Sequence, residues 1–518
     1  MSNRIITIIG GGAVGVSLLY QLIKKHKIKN DDQGIVIQIL EKGSVIGPGL
    51  AYREDDPINV LNRPASTMSA IHGDSKDFIN WLSSNSKWRA KYPEICLENL
   101  EEQFLPRSLF GLYLQSIFDK ALRLARSKKI QVNVINDEVI NIQPVQNAYS
   151  IETTSGQIVI SNVIVLSIGQ IFSDNYDNLR QSENYLDSPY PTSRLESQIP
   201  SEASVAIIGS RLSAIDAAIS LKDRGHKGQI AFFSRNGYLP SIRPIGIVDH
   251  QLKIFTEKRI RGITDFISLN QIIKLICAEV SLALGRTVEL KEWFDRPSNS
   301  LGYLENELSN VNSRERILWQ SVMIAINKVI GLVWHKLADR DKNIFVKRFR
   351  SRWMAYRVGI PIQNAKKIHS LIQSEKLLNV KGLKNITYDK GTKQFIIKCK
   401  KDLRKNNFDY VINATGTCTN INYTRSALIR NMNKSGLLKA HVFGGIEIDF
   451  DTSKVKDREG NIQNNIYVVG NLTEGEYLFT SVLDLNIAQG NKVSDLIVNE
   501  LKTKTLSENN ETREYYVS

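Results

Sequence analysis

The sequence predicts an α/β fold with two similar halves, each a parallel sheet flanked by helices, and a helical insertion in the second half. Three observations lead to this prediction. A strand, a glycine turn and a helix start follow one another at residues 4–23 and again at residues 204–225. Each unit is followed by a second apolar strand and later by short alternating strands that end at a small-residue–Gly turn. Residues 246–378 show helical periodicity and no strand pattern.

Composition limits the kind of protein that this chain can be. Its 518 residues exceed one ordinary core, so we expect two or three domains. The apolar share of 42% and the charged share of 23% are typical of a soluble globular protein. The four cysteines are scattered without a C-x-x-C pair, which argues against a zinc site, a disulfide framework and a disulfide reductase. Their spacing favours a reducing, cytoplasmic compartment.

The net charge of +15 suggests anionic partners, for which there are several explanations. Nucleic acid is one, but no helix-turn-helix, RNP-like or zinc-finger pattern occurs, and the basic residues are spread widely. A solvated basic surface, together with anionic ligands, explains the charge better. We therefore expect no nucleic-acid partner.

The amino-terminal segment Arg4–Gly15 reads RIITIIGGGAVG and has the order of a Rossmann-like dinucleotide-binding unit. Four isoleucines predict a strand that runs directly into three glycines and an apolar helix. In a G-x-G-x-x-G pattern, Gly10 makes the turn, Gly12 lets the backbone approach a pyrophosphate, and Gly15 lets helix and strand pack closely.

The residues around this turn complete the predicted nucleotide site. Ala13 and Val14 begin the helix, whose exposed N–H groups attract phosphates. The next strand, IVIQILEK at residues 35–42, ends in Glu41, a carboxylate that can accept hydrogen bonds from an adenosine ribose.

A membrane segment is the alternative interpretation of the amino terminus. Residues 5–23 carry no charge and approach the length of a membrane span. The glycines are poor helix interior, however, and no useful positively charged region precedes the apolar run. We expect neither a membrane segment nor a signal peptide.

The rest of the chain follows the order of the first unit. After a glycine loop at residues 47–52, helices are predicted at residues 77–85 and 106–126, and short alternating strands, interpreted as a β-meander, at residues 130–169. The second glycine turn reads GSRLSA and is followed by a strand, QIAFFSRNG at residues 229–237. Alternating strands then return at residues 379–401 and lead into FDYVINATG at residues 408–416.

This order resembles that of flavoproteins with two dinucleotide-binding domains, in which FAD binds the first and NAD(P)H the second. The stretch VINATG matches the A-T-G signature of that superfamily, and residues 464–490 resemble its returning FAD strand and terminal helix. The segments GPGLAY, LNRPASTMS, DFINWL and LPRSLFGLYL resemble the FAD–NAD(P)-binding group. That group includes amino-acid N-hydroxylating monooxygenases such as nitrosuccinate-forming aspartate oxidases, with ornithine and lysine N-hydroxylases as more distant relatives.

The resemblance implies domains and cofactor contacts. The FAD-binding domain takes residues 1–190 and 426–518, the NADPH-binding domain residues 200–245 and 379–425, and the helical insertion residues 246–378. FAD contacts beyond the first turn and Glu41 are expected from Lys42, Gly49, Arg107, Val139, Gly169, Gly470 and Asn471. NADPH contacts are expected from Gly209, Arg211, Ser234, Arg235, Thr415 and Gly416. The alternative interpretation of Arg107 is an exposed arginine. Its place in the first turn of a helix nevertheless favours an anionic partner, because a cation there opposes the helix dipole.

Arg211 and Asn471 depart from the resemblance, whereas Arg235 agrees with NADPH binding. Arg211 replaces the glycine that lets backbone touch a pyrophosphate, so it either crowds the phosphates, binds them through its guanidinium, or marks a purely structural unit. Arg235 ends the second strand where NAD-specific domains carry an acid, which suits the 2′-phosphate of NADPH. Asn471 stands where many relatives have Asp, and its amide can still hold a ribitol or phosphate oxygen.

The insertion carries the candidate substrate ligands. Helical periodicity covers residues 266–285, 315–338 and 342–361, and the last segment is strongly basic. Arg350 and Arg357 are seven residues apart and share a helix face, on which they could bind a carboxylate or the NADPH phosphates. Arg243 is a further anion ligand of the same kind. A solvated basic face with Trp353 in the core is the alternative.

The function implied is that of an FAD-dependent NADPH monooxygenase that N-hydroxylates a small amino-acid-like amine with O₂, through a C4a-hydroperoxyflavin. Asn62 and Met68 are the candidates beside the flavin ring, with the loop at residues 473–481. The seven histidines are isolated in sequence and no metal-ligand spacing occurs. A flavin oxidase or dehydrogenase without oxygen insertion, and a non-catalytic FAD-binding interaction protein, stay open as alternatives, and a homo-oligomer is possible.

Overall fold

A computed structural model describes residues 4–26, 34–293, 297, 299–400 and 406–514. The predicted α/β fold with two Rossmann-like domains is confirmed. The strands are β1 (Arg4–Ile9), β2 (Ile35–Leu40), β3 (Gln131–Ile135), β4 (Val139–Val145), β5 (Ala148–Thr153), β6 (Ile158–Ser161), β7 (Val163–Leu166), β8 (Tyr185–Leu186), β9 (Val205–Ile208), β10 (Ile230–Ser234), β11 (Leu377–Lys381), β12 (Leu383–Asp389), β13 (Gln394–Cys399), β14 (Asn406–Phe408), β15 (Tyr410–Asn413), β16 (Lys454–Lys456) and β17 (Ile462–Val468). The helices are α1 (Ala13–Lys25), α2 (Asp77–Ser84), α3 (Arg107–Ser127), α4 (Leu195–Gln198), α5 (Leu212–Asp223), α6 (Glu257–Arg261), α7 (Leu269–Leu284), α8 (Ser300–Asn310), α9 (Arg314–Ala325), α10 (Asn327–Lys336), α11 (Asp339–Ile344), α12 (Arg350–Arg357), α13 (Ile362–Gln373), α14 (Ala427–Ser435), α15 (Glu474–Tyr477) and α16 (Leu483–Glu514).

The first domain is built on a sheet with the strand order β16-β17-β7-β1-β2-β3. All neighbours pair in parallel except β16 and β17. The isoleucine-rich strands β1 and β2 are buried almost throughout, as expected for parallel strands covered on both faces. Helices α3 and α16 pack against α1, and β17 brings the carboxy-terminal part of the chain back beside β7.

The predicted β-meander of the first domain is shorter than expected. Only β4, β5 and β6 form a separate antiparallel sheet, whereas β3 and β7 join the parallel sheet. Alternation predicted β3 as part of the meander, which is wrong. The strand looks half-buried because it is the edge of the sheet, and α3 supplies the crossover that makes it parallel to β2.

The second domain is built on a parallel sheet with the order β11-β10-β9-β15-β8. Helix α13 leads into β11, and β12, β13 and β14 form a second small antiparallel sheet. Strand β8 and strand β11, which begins at Leu377, both belong to this sheet. The chain therefore enters the second sheet shortly before each of the predicted domain boundaries at residues 190 and 378.

The helical insertion divides into two parts. Side chains of α8 and α13, including Leu304 and Ile368, belong to the core of the second domain. Helices α6, α7, α9 and α10 instead form a core of their own with Leu478 and Phe479 from the carboxy-terminal loop. The basic segment is not one continuous helix, because a π-helical turn, Phe345–Phe349, separates α11 from α12.

No single helix among the described residues is long and apolar enough to cross a membrane. Taken together, α9 and α10, which are bent by 54°, meet the same test of length and composition.

Candidate functional site: a glycine cradle and two arginine clusters

The first glycine turn has the close contacts that its sequence predicts. Gly10 has a φ of +103°, and a Cβ there would lie 2.4 Å from the carbonyl oxygen of Ser167. A Cβ on Gly15 would lie 2.0 Å from the carbonyl oxygen of Gly10, so helix α1 can approach the turn only at a glycine. At Gly12 a Cβ would meet nothing closer than 3.6 Å, which leaves the backbone at the start of α1 open to a ligand.

Ala13 and Val14 form the first turn of α1 beside this opening. Glu41 follows β2 at the same edge of the sheet, and its Oε2 accepts a 2.7 Å hydrogen bond from the backbone N–H of Gly11. Its Oε1 accepts a 2.9 Å bond from Gly43, so each oxygen keeps a lone pair for a ribose hydroxyl. Lys42 is half exposed and lies 3.6 Å from Glu138, which gives its charge a partner within the protein.

The loop after Glu41 lies directly over the glycine turn. The N–H of Gly47 donates to the carbonyl oxygen of Gly11 at 2.7 Å, and a Cβ on Gly49 would lie 3.2 Å from the Cα of Gly12. On its other side this loop contacts α3, where a Cβ on Gly111 would lie 2.0 Å from the carbonyl oxygen of Tyr52. Sequence reasoning missed Gly47 and Gly111, although a glycine inside a strongly amphipathic helix was a signal for the second.

The other predicted FAD residues lie around the carboxyl ends of β7 and β17, where open α/β sheets bind their ligands. Gly169 and Gly470 both have positive φ, at +70° and +84°. Asn471 follows directly and is half-buried, while the N–H of Gly470 donates to Gln489 Oε1 of α16 at 3.0 Å. Val139 is buried at the start of β4, in the cluster that covers this end of the sheet.

The two candidates for the flavin ring, Asn62 and Met68, differ in how deeply their side chains are buried. Asn62 is half-buried and makes no hydrogen bond to another described side chain. Met68 is 3% exposed and packs in the core of the first domain with Ile71 and Phe78. Met68 therefore contributes to apolar packing, and its place beside the flavin stays a prediction.

Arg107 forms an ion pair between the two domains. Its Nη1 lies 2.6 Å from Asp216 Oδ2 of α5, and the side chain of Asp216 is 2% exposed. Tyr190 donates to the same carboxylate oxygen at 2.5 Å and accepts from Arg107 at 3.0 Å. The anionic partner that the helix position calls for is therefore a protein side chain, and the expected flavin contact of Arg107 loses its main argument.

The second glycine turn repeats the geometry of the first. Gly209 has a φ of +122°, and a Cβ there would lie 2.7 Å from the carbonyl oxygen of Ala414. The A-T-G turn therefore lies beside it, with Thr415 held by Asn413 Oδ1 and Gly416 exposed at a φ of +86°.

The side chain of Arg211 points away from the glycine turn and towards α12. As the residue before α5, it donates from Nη2 to the carbonyl oxygen of Ser351 in α12 at 3.0 Å. Burial and the nearby charges of Arg350 and Arg235 lower the pKa of Arg211 to about 10. Arg235 is exposed, and Arg350 forms an ion pair with Glu474 of α15.

Ser234, predicted to contact NADPH, supports the turn after β10. Its Oγ accepts hydrogen bonds from the N–H of Gly237 at 2.9 Å and from Ser210 Oγ at 3.3 Å.

The candidate substrate arginines do not act as one set. Arg350 is held by Glu474, whereas Arg357 is buried beside Arg243, whose Nη2 donates to the carbonyl oxygen of Arg357 at 3.3 Å. Arg243 also donates to Gln320 at 3.2 Å, and Arg357 donates to the carbonyl oxygen of Met323. The shared helix face of Arg350 and Arg357 is thus divided between two surroundings.

Arg243 and Arg357 are two neighbouring buried cations. Neither meets a carboxylate among the described residues, and the Nε of each has no hydrogen-bond partner there. Burial and the neighbouring guanidinium lower the pKa of Arg357 to about 9, and burial with the charge of Arg63 lowers that of Arg243 to about 10. An anion placed between them would relieve both.

Two histidines predicted to be isolated share a carboxylate. Glu476 of α15 accepts from His335 at 2.8 Å and lies 3.4 Å from His441. Burial alone would raise the pKa of Glu476, but these hydrogen bonds lower it to about 2. Sequence reasoning missed this cluster because His335 lies 141 positions from Glu476 in the sequence. In the described part of the chain, no group of three or more His, Cys, Asp or Glu residues has an arrangement that could hold a metal ion.

Comparisons with known proteins agree with this geometry. Residues 7–171 match the family model described as FAD-NAD(P)-binding. The curated protein YdhS of Escherichia coli strain K12, which is uncharacterized, is 22% identical over 417 residues, covering 71% of this chain and 74% of that protein.

Three solved structures show a similar fold. The reduced form of ornithine hydroxylase from Pseudomonas aeruginosa has a TM-score of 0.55 at 14% identity and covers 97% of this chain and 100% of its own. L-lysine 6-monooxygenase from Pseudomonas syringae has a TM-score of 0.54 at 14% identity, with 96% and 99% covered. Ornithine N-hydroxylase from Kutzneria sp. 744 has a TM-score of 0.55 at 13% identity, with 98% and 100% covered. The family match and the glycine cradle together identify residues 7–171 as an FAD-NAD(P)-binding domain, in a chain that shares its overall fold with these enzymes.

Proposed function

We propose that this protein is an FAD-dependent, NADPH-consuming monooxygenase that hydroxylates the nitrogen of a small amine bearing a carboxylate. The observation that carries the proposal is the buried pair Arg243 and Arg357, which have no carboxylate partner among the described residues. Burying unpaired charge is costly, so a site that keeps two guanidinium groups in this state is suited to an anionic ligand.

The first domain provides the place for FAD. Gly10 and Gly15 allow the strand, turn and helix to pack closely, Gly12 leaves the backbone open, and Glu41 presents free lone pairs beside it. When bound, FAD supplies the redox chemistry with electrons from NADPH and with O₂. The chain's own contribution is to bind, to orient and to keep water out.

The second domain offers a site for the phosphates of NADPH. Arg211, Arg235 and Arg350 gather at the amino terminus of α5, where the helix dipole also favours negative charge. Arg235 is the exposed member and follows β10, the position from which a 2′-phosphate can be reached.

The proposed substrate site, around Arg243 and Arg357, lies where three parts of the chain converge. Arg357 comes from the insertion, and Phe479 of the carboxy-terminal loop covers its guanidinium at 5.0 Å. Arg63, in the loop that also contains Asn62, acts on Arg243 through its charge and is itself paired with Asp484. We infer that Arg243 and Arg357 hold the substrate carboxylate by charge-assisted hydrogen bonds, which fixes the amine relative to the flavin. A cytoplasmic location fits the four free cysteines, and a homo-oligomer stays a prediction.

The test begins with the purified protein. We expect a yellow protein that releases FAD on denaturation. Without oxygen, NADPH should reduce the bound flavin faster than NADH does. On admission of air, a carboxylate-bearing amine from an amino-acid panel should accelerate NADPH oxidation and yield a hydroxylated nitrogen. A colourless protein without flavin would count decisively against the proposal.

Variants test the proposed substrate site separately from cofactor binding. Arg243→Gln should raise the KM of the active amine by about ten-fold or more, because a charged hydrogen bond contributes about 1.5–3 kcal/mol. Flavin reduction by NADPH alone should not change. Arg348→Gln, at an exposed arginine of the basic segment that also contains Arg357, is the control. Hydrogen peroxide as the sole product would favour an oxidase, and a flavin that NADPH never bleaches would favour a non-catalytic binding protein.

A further inference from the structure

The helical insertion contains an apolar cavity, partly open to solvent, that the proposed reaction does not use. Its volume is about 80 Å³, and its walls come from α7, α9, α10, the π-helical turn and α12. Three of the chain's six tryptophans, Trp319, Trp334 and Trp353, line it together with aliphatic side chains.

The walls of this cavity are almost wholly apolar. Arg352 is the one charged residue among the described residues that line it. Its guanidinium lies 5.4 Å from the ring centre of Tyr238, and its Nε donates to the Tyr238 hydroxyl at 3.2 Å, so the charge is engaged outside the cavity. The indole N–H of Trp353 is buried without an acceptor in the described part of the chain. A charged or strongly hydrated ligand would therefore lose its solvation without compensation.

Apolar side chains are usually close-packed, so an apolar cavity of this size between helices is a candidate ligand site. The π-helical turn Phe345–Phe349 forms part of the wall, and π turns often occur at functional sites.

The cavity also touches the loop that follows the returning FAD strand. Leu478 lines the cavity, and it has a φ of +61°, a left-handed conformation that is costly for a leucine. The next residue, Phe479, covers the guanidinium of Arg357, whose other neighbour is the cavity-lining ring of Trp353 at 5.4 Å. An occupant would therefore contact both the insertion and the carboxy-terminal loop.

We propose that this cavity is a binding site for a neutral apolar molecule, of the size of one aromatic ring or a short alkyl chain, with at most one hydrogen-bond acceptor. The site is distinct from the glycine cradle and from both arginine clusters. The proposal does not depend on the reaction proposed above, since it rests on the walls of the cavity alone.

Heavy-atom quenching of tryptophan fluorescence tests this proposal directly. Bromobenzene is the neutral probe, 4-bromobenzoate and 4-bromobenzylamine are charged probes of similar shape, and the full-length protein is titrated with each. We expect saturable quenching by bromobenzene, together with protection against thermal unfolding by unbrominated benzene. The two charged probes should quench only in proportion to their concentration.

Variants whose larger side chains fill the cavity provide the control for specific binding. Val333→Phe and Ile273→Phe each add a ring to its wall, at a fully buried and a half-buried position, so at least one variant should fold. Each should weaken bromobenzene binding by about ten-fold or more, because the added volume competes with the probe. Val442→Phe, at a position that is 80% exposed, should bind as the wild type does. Linear quenching in the wild type, equal affinity in the folded filled variants, or equal affinity for a charged probe would each overturn the proposal.

Discussion

The ion pair between Arg107 and Asp216 joins the two domains, and we expect Asp216→Asn to destabilise the protein and loosen the contact between them. Arg107 begins α3 in the first domain, and Asp216 lies in α5 of the second. Their side chains are 18% and 2% exposed. Burial alone would lower the pKa of Arg107, but Asp216 and Tyr190 raise it above its ordinary value, so the guanidinium stays charged.

The loss of unfolding free energy follows from the charge that Asp216→Asn leaves unpaired. It keeps the shape of the aspartate, yet the charge of Arg107 is then buried without a counter-ion. Removing one partner of a buried pair costs about 3–5 kcal/mol of unfolding free energy. The pair Arg224–Glu196 in the same region is the control, because Glu196 is 57% exposed and Glu196→Gln should cost less than about 1 kcal/mol.

Urea unfolding followed by circular dichroism measures both losses, and limited proteolysis reports whether the domains separate first. The double variant Arg107→Met/Asp216→Leu should recover most of the loss, since it removes both buried charges. A loss below about 1 kcal/mol for Asp216→Asn, or a double variant no more stable than the single one, would refute the reasoning.

Three further outcomes are expected. Arg235→Ala should weaken NADPH binding about ten-fold while NADH changes little, measured by anaerobic flavin reduction, and equal losses would remove Arg235 from its proposed role. Hydrogen bonds from His250 and the backbone hold the pKa of Glu279 below its ordinary 4.5 against the opposing effect of burial. The resulting stability is present above pH 4.5 and is lost as pH falls through the folded value, so Glu279→Gln should flatten the acid limb of a thermal-unfolding profile. Gly10→Ala should abolish FAD retention, read from the absorbance of the purified protein, because its Cβ would meet the Ser167 carbonyl at 2.4 Å; an alanine variant that keeps its flavin contradicts the cradle.

Local pattern predicted the parts of the site that are close in sequence. The first glycine turn, Glu41 at the end of β2 and the second turn at Gly209 all depend on a strand, a turn and a helix within about forty residues. Backbone conformation and short-range packing specify such units, so residue type and spacing are sufficient signals.

Contacts between distant segments escaped prediction. Gly111 is required because Tyr52 of the covering loop passes it, and Asp216 was unremarkable in sequence until α5 met α3. The strand β3 looked like part of a meander because an edge strand and a meander strand show the same alternation. Periodicity reports that a face is buried, but it does not report which neighbour buries it.

The sequence by itself determined that the chain forms two nucleotide-binding units with a helical insertion, since glycine turns and apolar strands carry their geometry within a few residues. Only the tertiary structure decided which cations are neutralised. Arg107 and Arg350 find Asp216 and Glu474, whereas Arg243 and Arg357 meet each other. The physical reason is that a charge is paired or left unpaired by whatever the fold brings within a few ångströms, and side chains up to 124 positions apart make that difference here.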